Sequence, residues 1–477
     1  MTSAETVYLF RHALLRDAAY QLQLPGDRAR LHALAFAAIE ELAGGRAPEP
    51  GVSGEIEFQR HSSDPFAQEL AEHARLTQAL TGASGARMEV SSWRAAQEHY
   101  LRRAAEFSEN YYRSEQSQRL WQEHAELATG SWRCESLRRA ARVAHQAGRS
   151  KLAESLYEQA LAGQRKLGDR RAEGVAIGNL ASVYSGTGRV EEAERCYAQA
   201  LAIHRAVGDR HAEAISMGNL AVFYQETSRL DLAEREHEKA LAIHREFGNQ
   251  RFEGIVLGNI ANLQREMGRH KQSEHSHGQA LALHRQVGNR RFEGIALGNL
   301  ANLYRTTGRA HEAAQSYEKS LAIHREVGNR RSEGIVLGNL GLLYQDCGRL
   351  DLAKRSYEVA LSICREVGDR RFEGITLAGL AAIHQDTGQL ELAHEGFVKA
   401  LIIHLEVGNR RAEGLDLCNH AILLMALGRF EEARASWSGG ELVLRALGDT
   451  RELELKALKL RSACAKVGVP PFDKSPQ

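Results

Sequence analysis

The sequence predicts an all-α solenoid, in which helical hairpins stack side by side along the chain, and two observations lead to this prediction. The first is a period of 40 residues, because self-similarity at such a period is typical of repeat architectures. The second is the apolar spacing of an α-helix, which appears twice in each period. The period is marked by glycines that are each followed by Asp or Asn: Gly168, Gly208, Gly248, Gly288, Gly328, Gly368, Gly408 and Gly448.

Each period contains two helical stretches with a short break between them. The first stretch has one apolar helical face, formed in one unit by Ile177, Leu180, Ala181 and Tyr184. The break falls at Gly188 and Arg189. The second stretch has a similar face, formed by Ala193, Tyr197, Ala200, Leu201 and His204. Each unit is therefore predicted to be a helical hairpin.

The ends of the helices also carry signals. The glycine that closes each unit lies where a left-handed C-terminal cap is expected, and the Asp or Asn that follows it can cap the next helix. Seven units show this pattern well, and they begin near Gly174, Ala214, Gly254, Gly294, Gly334, Gly374 and Gly414. A degenerate unit over residues 137–161 precedes them.

Composition and charge exclude several classes of protein. Lys and Arg total 62 against 61 Asp and Glu, so no net field attracts nucleic acid or an anionic membrane. No apolar run approaches the ~18 residues of a membrane span, and the first residues lack a signal-peptide pattern. We therefore expect a cytoplasmic protein that binds neither nucleic acid nor membrane. The cysteines form no C-x-x-C pair, which favours small buried side chains over a zinc site or a disulfide framework.

The predicted first helices contain pairs of glycines four residues apart, such as Gly294 and Gly298. Glycine inside a helix costs about 1 kcal/mol relative to alanine. Because both glycines of a pair lie on one helix face, we expect that face to let a neighbouring repeat pack closely. A phosphate-binding loop is excluded, since the chain has no Gly-Lys pair.

Residues 179–201, with the sequence NLASVYSGTGRVEEAERCYAQAL, resemble a tetratricopeptide repeat. The stretch has the family's residues at the family's relative spacing: Leu180, Ala181, Tyr184, Gly188, Ala193, Tyr197 and Ala200. The family usually has 34 residues per unit. The longer units of this chain resemble those of the LGN/Pins scaffold proteins and of many bacterial signalling proteins. The resemblance implies a right-handed superhelical solenoid with a concave groove that binds a peptide or a protein.

Some units depart from this pattern. Gly379 stands where other units have Asn, His237 and His277 replace a tyrosine, and Ser228 replaces the turn glycine. The scaffold relatives often have an arginine one residue after the Glu-Gly pair. Here that position is aliphatic, as at Ile375.

The second face of each first helix is the predicted binding surface. At about 100° per residue, Val175, Asn179 and Ser182 point away from the core position Leu180. In the family this is the groove surface, and the equivalent of Asn179 contacts the peptide. The predicted groove residues are Asn179, Asn219, Gln225, Ile255, Asn259, Asn262, Arg265, Ile295, Asn299, Asn302, Arg305, Asn339 and Gln345.

Asparagine amides can both donate to and accept from a peptide backbone. The alternative is that these amides bond to neighbouring helices or solvent and only maintain the repeat. A groove that mixes arginine, amide and isoleucine suits an extended or amphipathic peptide with some acidic residues.

Two other rows of side chains are predicted to be structural. Arg245, Arg285, Arg325 and Arg365 can form ion pairs between adjacent units with Glu253, Glu293, Glu333 and Glu373. The column His204, His244, His284, His324 and His404 favours packing or a helix-end role over a metal site. The cluster His270, His275 and His277 is a slightly better candidate for metal, but we predict no metal and no cofactor.

The N-terminal region has a different character. Residues 8–22 and 28–42 resemble a segment that follows the nucleotide-binding module in bacterial STAND-type signalling ATPases. No G-x-x-x-x-G-K-[ST] motif is present. The chain is thus expected to be a split part of a larger protein, a chain whose true start lies further upstream, or a stand-alone sensor. The predicted regions are 1–45, resembling the winged-helix or connector end of such an ATPase, then a helical connector (46–132), the repeat array (133–453), a capping helix (454–467) and a flexible tail (468–477).

The sequence therefore predicts a non-catalytic scaffold or sensor module that binds a protein or peptide in its concave groove. The alternative is a regulatory fragment of a nucleotide-dependent signalling protein, acting with a separate NTPase or kinase chain. An enzyme is the third class, and it would need a cluster of nucleophile, base and orienting group that the sequence does not offer.

Overall fold

A computed structural model describes residues 23–49, 59–81, 87–111 and 113–472. The predicted signalling-ATPase segment at 8–22 lies outside these residues, as does the end of the tail from 473 to 477. In the described residues the secondary structure is helical, with one short 3₁₀ turn at Asp64–Phe66. The helices are α1 Pro25–Leu42, α2 Ala67–Thr81, α3 Arg87–Asn110, α4 Ser114–Leu127, α5 Gly130–Gln146, α6 Ser150–Leu167, α7 Arg170–Gly186, α8 Val190–Ala206, α9 Arg210–Glu226, α10 Leu230–Glu246, α11 Gln250–Glu266, α12 His270–Gln286, α13 Arg290–Thr306, α14 Ala310–Glu326, α15 Arg330–Asp346, α16 Leu350–Val367, α17 Arg370–Asp386, α18 Leu390–Val407, α19 Arg410–Ala426, α20 Phe430–Ala446 and α21 Thr450–Val467.

The chain divides into two compact units, Met1–Ala140 and Ala141–Gln477. In the first unit, α1, α2, α3 and α4 pack one on the next in chain order. Its interior contains Phe36 and Tyr100, whose rings meet edge to face. It also buries the guanidinium of Arg103, whose Nε donates to Asp64 Oδ1 at 2.7 Å. This buried ion pair ties α3 to the 3₁₀ turn.

The second unit contains seven helical hairpins, as the sequence predicts, from α7 with α8 to α19 with α20. Within each hairpin the two helices pack more extensively on each other than on the next hairpin. Small residues such as Ala193 and Ala313 are fully buried where the helices meet, and Tyr317 fills the space beside Ala313. This alternation of small and large side chains gives each hairpin its own core.

The predicted helix ends are confirmed. Gly168 has φ of +71° and closes α6, and the equivalent glycines in the following units also have positive φ. The Asp169 side chain then accepts a hydrogen bond from the backbone N–H of Ala172 at 3.0 Å, which caps α7. Ser228, which replaces a turn glycine, adopts φ of +58°.

The ladder of ion pairs between adjacent units is also confirmed. Arg325 Nε lies 2.8 Å from Glu333 Oε1, and the equivalent pairs measure 2.8 to 2.9 Å at Arg245, Arg285 and Arg365. Each pair joins the last turn of one hairpin to the first turn of the next. The ladder is interrupted at Leu405, where the arginine of the other units is absent.

The expectation for the helical glycines is wrong for the first glycine of the pair. A Cβ added at Gly294 would lie 2.7 Å from Cε1 of His324, which belongs to the same hairpin. The glycine therefore makes room for a buried imidazole within its own unit. The second glycine behaves as predicted only in part at Gly298, where an added Cβ would lie 3.3 Å from Ser320 Oγ of the same hairpin and 3.6 Å from Val336 of the next unit.

Within Ala141–Gln477, helix junctions early in the array contact junctions late in it. Ser150 Oγ donates to the carbonyl of Val407 at 3.0 Å across 257 positions of sequence. Arg451 Nη1 donates to the carbonyl of Glu266 at 3.0 Å. We call this line of contacts the seam, and its residues are Gly148, Ser150, Thr187, Gly188, Glu266, Val407, Gly408, Arg410 and Arg451. The hairpins therefore coil far enough for the first half of the array to contact the second half.

Among the described helices, none combines the length and the apolar character required to cross a lipid bilayer.

Candidate functional site

The inner side of the array encloses a cavity of about 1080 Å³. Its walls come mainly from first helices of the hairpins, namely α9, α11, α15, α17 and α19, together with the start of α21. This volume lies above the ~300–1,000 Å³ of most small-molecule sites. The cavity has room for a segment of polypeptide.

Some of the predicted groove residues line this cavity: Gln225, Asn259, Asn262, Arg265, Asn339 and Gln345. They are half-buried, so each presents part of its side chain to the open space. The structure therefore brings together residues that lie in three different hairpins. Whether they bind a ligand stays a prediction.

The other predicted groove residues do not line the cavity: Asn179, Asn219, Ile255, Ile295, Asn299, Asn302 and Arg305. Two of them are engaged inside the array. Asn302 Oδ1 accepts a hydrogen bond from the Tyr317 hydroxyl at 2.5 Å, and Arg305 Nη1 donates to Asp346 Oδ2 at 2.6 Å. These contacts support the structural alternative for Asn302 and Arg305.

The amides of the central unit differ from their equivalents one unit later. Neither Asn259 nor Asn262 forms a hydrogen bond with another residue in the part of the chain that the structure describes. Arg265 has a buried Nε without a hydrogen-bond partner, and its Nη2 lies 3.8 Å from Glu266 Oε1. These side chains keep hydrogen-bonding capacity at the cavity wall that a bound polypeptide can use.

Several cavity residues were not predicted from the sequence: Tyr357, Arg371, Phe372, Gly379, Asn409 and Asp416. Their 40-residue register is the signal that could have found most of them. Arg371 follows the closing glycine by the same interval as Arg171 and Arg331, on the helix face that includes Ile375. The coiling that brings late units opposite early ones was not visible in the sequence.

Two histidines are buried where other hairpins have Tyr. His237 and His277 are both fully buried, and neither ring nitrogen of either residue has a hydrogen-bond partner. Burial lowers the pKa of His237 to about 4. Burial, assisted by the nearby charge of Arg265, lowers the pKa of His277 to about 4 as well. Both imidazoles are therefore neutral near pH 7.

A polar cluster is buried at the end of the array. His404 Nε2 lies 3.1 Å from Asp416 Oδ2, and Asn419 donates to the other carboxylate oxygen at 3.2 Å. Lys456 Nζ donates to Asn419 Oδ1 at 2.6 Å. Burial lowers the pKa of Lys456 and raises that of the Cys418 thiol to about 12. These hydrogen bonds join the cluster's side chains, although the buried Nδ1 of His404 has no partner among the described residues. The Cys418 thiol is protonated near pH 7 and unsuited to nucleophilic attack.

The histidine column packs against the first helices. His204, His244, His284, His324 and His404 are all buried, and His284 fills the space that a Cβ at Gly254 would occupy. In the described ranges, no group of three or more His, Cys, Asp or Glu side chains is placed to hold a metal ion.

Comparison with known proteins supports the fold. A Rap protein complexed with competence and sporulation factor has a similar structure, with 12% identity, a TM-score of 0.52, and coverage of 80% of this chain and 99% of that chain. A signal transduction ATPase with numerous domains and a tetratricopeptide repeat sensor, from Pyrococcus horikoshii, is 17% identical with a TM-score of 0.43. That match covers 80% of this chain and 56% of that chain. At 12% identity the likeness to the Rap protein is one of fold. No curated protein matches the chain by sequence.

The tetratricopeptide repeat family matches directly. Its model matches residues 173–246, 252–326 and 332–406, and each of these segments spans two hairpins of the array. The match thus covers six of the seven hairpins and their small and aromatic core positions. The matched segments, which together cover just under half of the chain, are therefore tetratricopeptide repeats.

Proposed function

We propose that the chain is a non-catalytic binding module that holds an extended segment of a partner protein, or a free peptide, in the inner cavity. The observation that carries the proposal is the character of the cavity wall. The wall combines the amides of Asn259 and Asn262, which have no hydrogen-bond partner among the described residues, with apolar side chains such as Leu342 and Ile375.

This combination suits a polypeptide more than other ligands. A backbone in extended form offers alternating donors and acceptors, which an amide can match from either of its two atoms. The apolar residues between the amides can bury the ligand's side chains. The wall also carries charges of both signs, including Arg265, Arg371, Glu226 and Glu266, which favours a ligand of mixed polarity.

The test begins with random 16-residue peptides displayed on phage and selected on the full chain. A selected peptide, labelled with fluorescein, is then titrated by fluorescence anisotropy against three proteins. These are the parent, a variant with Asn259, Asn262 and Arg265 changed to Ala, and a variant with Asn299, Asn302 and Arg305 changed to Ala. The second triple occupies the same repeat positions but lies outside the cavity.

We expect the first triple variant to bind at least about tenfold more weakly, because each lost hydrogen bond is worth about 1 kcal/mol. The second should bind like the parent, once circular dichroism has shown equal helicity and equal melting temperature for all three. Equal affinities for all three proteins, or the greater loss in the second variant, would remove the cavity as the binding site.

A further inference from the structure

In most hairpins, the second residue of the first helix is an arginine. This is the positive end of the helix macrodipole, where a cation is unfavourable unless an anion offsets it. Three of these arginines have such an anion, because each pairs with the Asp that caps the next unit. The pairs are Arg171 with Asp209 at 2.5 Å, Arg331 with Asp369 at 2.7 Å, and Arg411 with Asp449 at 2.8 Å.

Arg371 lacks this counter-ion, because the capping residue of its next unit is Asn409. It forms no ion pair or hydrogen bond with any residue that the structure describes, although it is half-buried and lines the cavity. Its guanidinium lies near Gly186, where an added Cβ would be 3.5 Å from Nη1. Burial, assisted by the charge of Arg371, lowers the pKa of the nearby His145. A residue of the cavity wall thus carries a cation that no described anion offsets.

The ring of Tyr357, which also lines the cavity, is a second unusual feature. A Cβ at Gly379 would lie 2.7 Å from Tyr357 Cε1, and a Cβ at Gly341 would lie 3.2 Å from Cδ1, Cδ2 and Cε1 of the same ring. The preceding and following units have Asn at the repeat position of Gly379 and Ala at the repeat position of Gly341. Because glycine replaces a larger residue at both positions, the Tyr357 ring can lie between adjacent units at the cavity.

The equivalent tyrosines of two other units have a hydrogen-bond partner for the hydroxyl, which Tyr357 lacks in the described part of the chain. The Tyr317 hydroxyl donates to Asn302, and Tyr197 shares a hydrogen bond of 3.0 Å with Ser182. At the matching place beside Tyr357 the side chain is Leu342. Among the described residues, the Tyr357 hydroxyl has no hydrogen-bond partner. It remains as a donor beside the cavity.

These residues share one surface. Arg371, Ile375 and Gly379 are four residues apart on α17, so they lie on one helix face at intervals of about 6 Å. We call Arg371, Ile375, Gly379, Leu342 and Tyr357 the Arg371 subsite. Alternate residues of an extended peptide point to the same side and are about 6.6 Å apart, which matches the interval from Arg371 to Ile375.

We propose that the Arg371 subsite selects a peptide segment with an acidic residue two positions from an apolar residue. The carboxylate pairs with Arg371, the apolar side chain packs on Ile375 and Leu342, and a backbone carbonyl accepts from the Tyr357 hydroxyl. The inference rests on the proposed peptide-binding function and adds the chemistry of the ligand.

The test uses a positional-scanning library of nine-residue peptides, in which two positions at a time are fixed and the rest are random. The library is applied to the full parent chain and to four variants, Arg371→Gln, Asn409→Asp, Tyr357→Phe and Arg171→Gln. Asn409→Asp supplies the counter-ion that Arg331 already has in Asp369. Arg171→Gln removes an arginine at the same repeat position that is paired with Asp209 and lies outside the cavity.

The parent should enrich peptides with Asp or Glu two positions from an aliphatic or aromatic residue. Arg371→Gln and Asn409→Asp should each weaken such a peptide at least about tenfold and leave its Asn or Gln analogue unchanged, since a charged hydrogen bond is removed in both. Tyr357→Phe should weaken the acidic peptide and its neutral analogue alike. Arg171→Gln should not change the enrichment.

Peptide binding without acidic enrichment, or acidic enrichment that survives both Arg371→Gln and Asn409→Asp, would overturn the Arg371 subsite and leave the cavity as a peptide site. Absence of binding by every peptide pool to the parent would instead overturn the proposed function itself, and the subsite with it.

Discussion

At the scale of single residues, the glycine of the Glu-Gly pair packs directly against the histidine of the next helix. Gly294 has no side chain because the imidazole of His324 occupies the space, and His324 is almost completely buried. The helix accepts a glycine of poor propensity because a large side chain fills the gap. The same pairing recurs at Gly174, Gly254 and Gly374.

This pairing predicts the effect of adding one methyl group. Gly294→Ala should destabilise the protein by about 1–3 kcal/mol, because its Cβ would lie 2.7 Å from Cε1 of the buried His324 ring, which would have to shift. Gly258→Ala is the matched control, since an added Cβ there meets no atom within 4 Å. That substitution should stabilise its helix by up to about 1 kcal/mol. Urea unfolding of both variants decides the point, and a stabilised Gly294→Ala would contradict the packing described here.

At the scale of the helical elements, the two buried histidines make the central hairpins sensitive to acid. The pKa of His277 is about 4 in the folded chain, below the usual value of 6.5 for an exposed histidine. Between these pH values the unfolded chain binds the proton and the folded chain does not. Stability that is fully present above pH 6.5 is therefore lost as the pH falls toward 4.

Replacing His277 by Tyr should remove part of this loss. Tyrosine fits the same position in other hairpins, and its hydroxyl can donate to Asn262 as that of Tyr317 donates to Asn302. Guanidinium unfolding at pH 7.0 and pH 4.5 should show a smaller loss in His277→Tyr, by up to about 3 kcal/mol. His275→Gln, which changes an exposed residue of the same helix, serves as control. An equal loss in the parent and His277→Tyr would contradict the prediction.

The elements were well predicted from the sequence, because each is specified locally. The closing glycines, the caps such as Asp169 and the ladder pairs such as Arg325 with Glu333 all depend on residues near one another in sequence. The site was predicted less completely. Asn259, Asn262 and Arg265 follow from helical periodicity, but Arg371 and Tyr357 face them only because the array coils, and coiling is set by small rotations summed over many units.

At the scale of the repeat array, the seam closes the wall around the inner cavity. Thr187 lies against Gly408, where an added Cβ would approach its Cγ2 at 3.0 Å. The contact joins the turn of an early hairpin to the start of a late one. A ligand that enters from the side must separate these turns, whereas one that enters along the axis need not.

A larger side chain at Thr187 should open the seam. Thr187→Arg forces a long cation against Gly408 and should lower stability by about 1–3 kcal/mol, as overpacking does elsewhere. Small-angle X-ray scattering should show a larger radius of gyration than in the parent. Thr307→Arg is the matched control, since Thr307 has the same repeat position and the adjacent Gly308 has no atom within 4 Å of an added Cβ. An unchanged radius in Thr187→Arg would contradict the closure.

The seam also changes how the array should fold. A linear stack of repeats has a stability close to the sum of its units and their nearest-neighbour contacts, so the last hairpin can be removed without effect on the first. Here Ser150 donates a hydrogen bond to Val407 across 257 positions of sequence. Deleting the hairpin that contains Val407 and those after it should therefore destabilise the first helices of the array. Contacts of such long sequence separation slow folding and join distant parts into one cooperative transition. The chain should therefore resist truncation at either end less well than a repeat protein of equal length without such contacts.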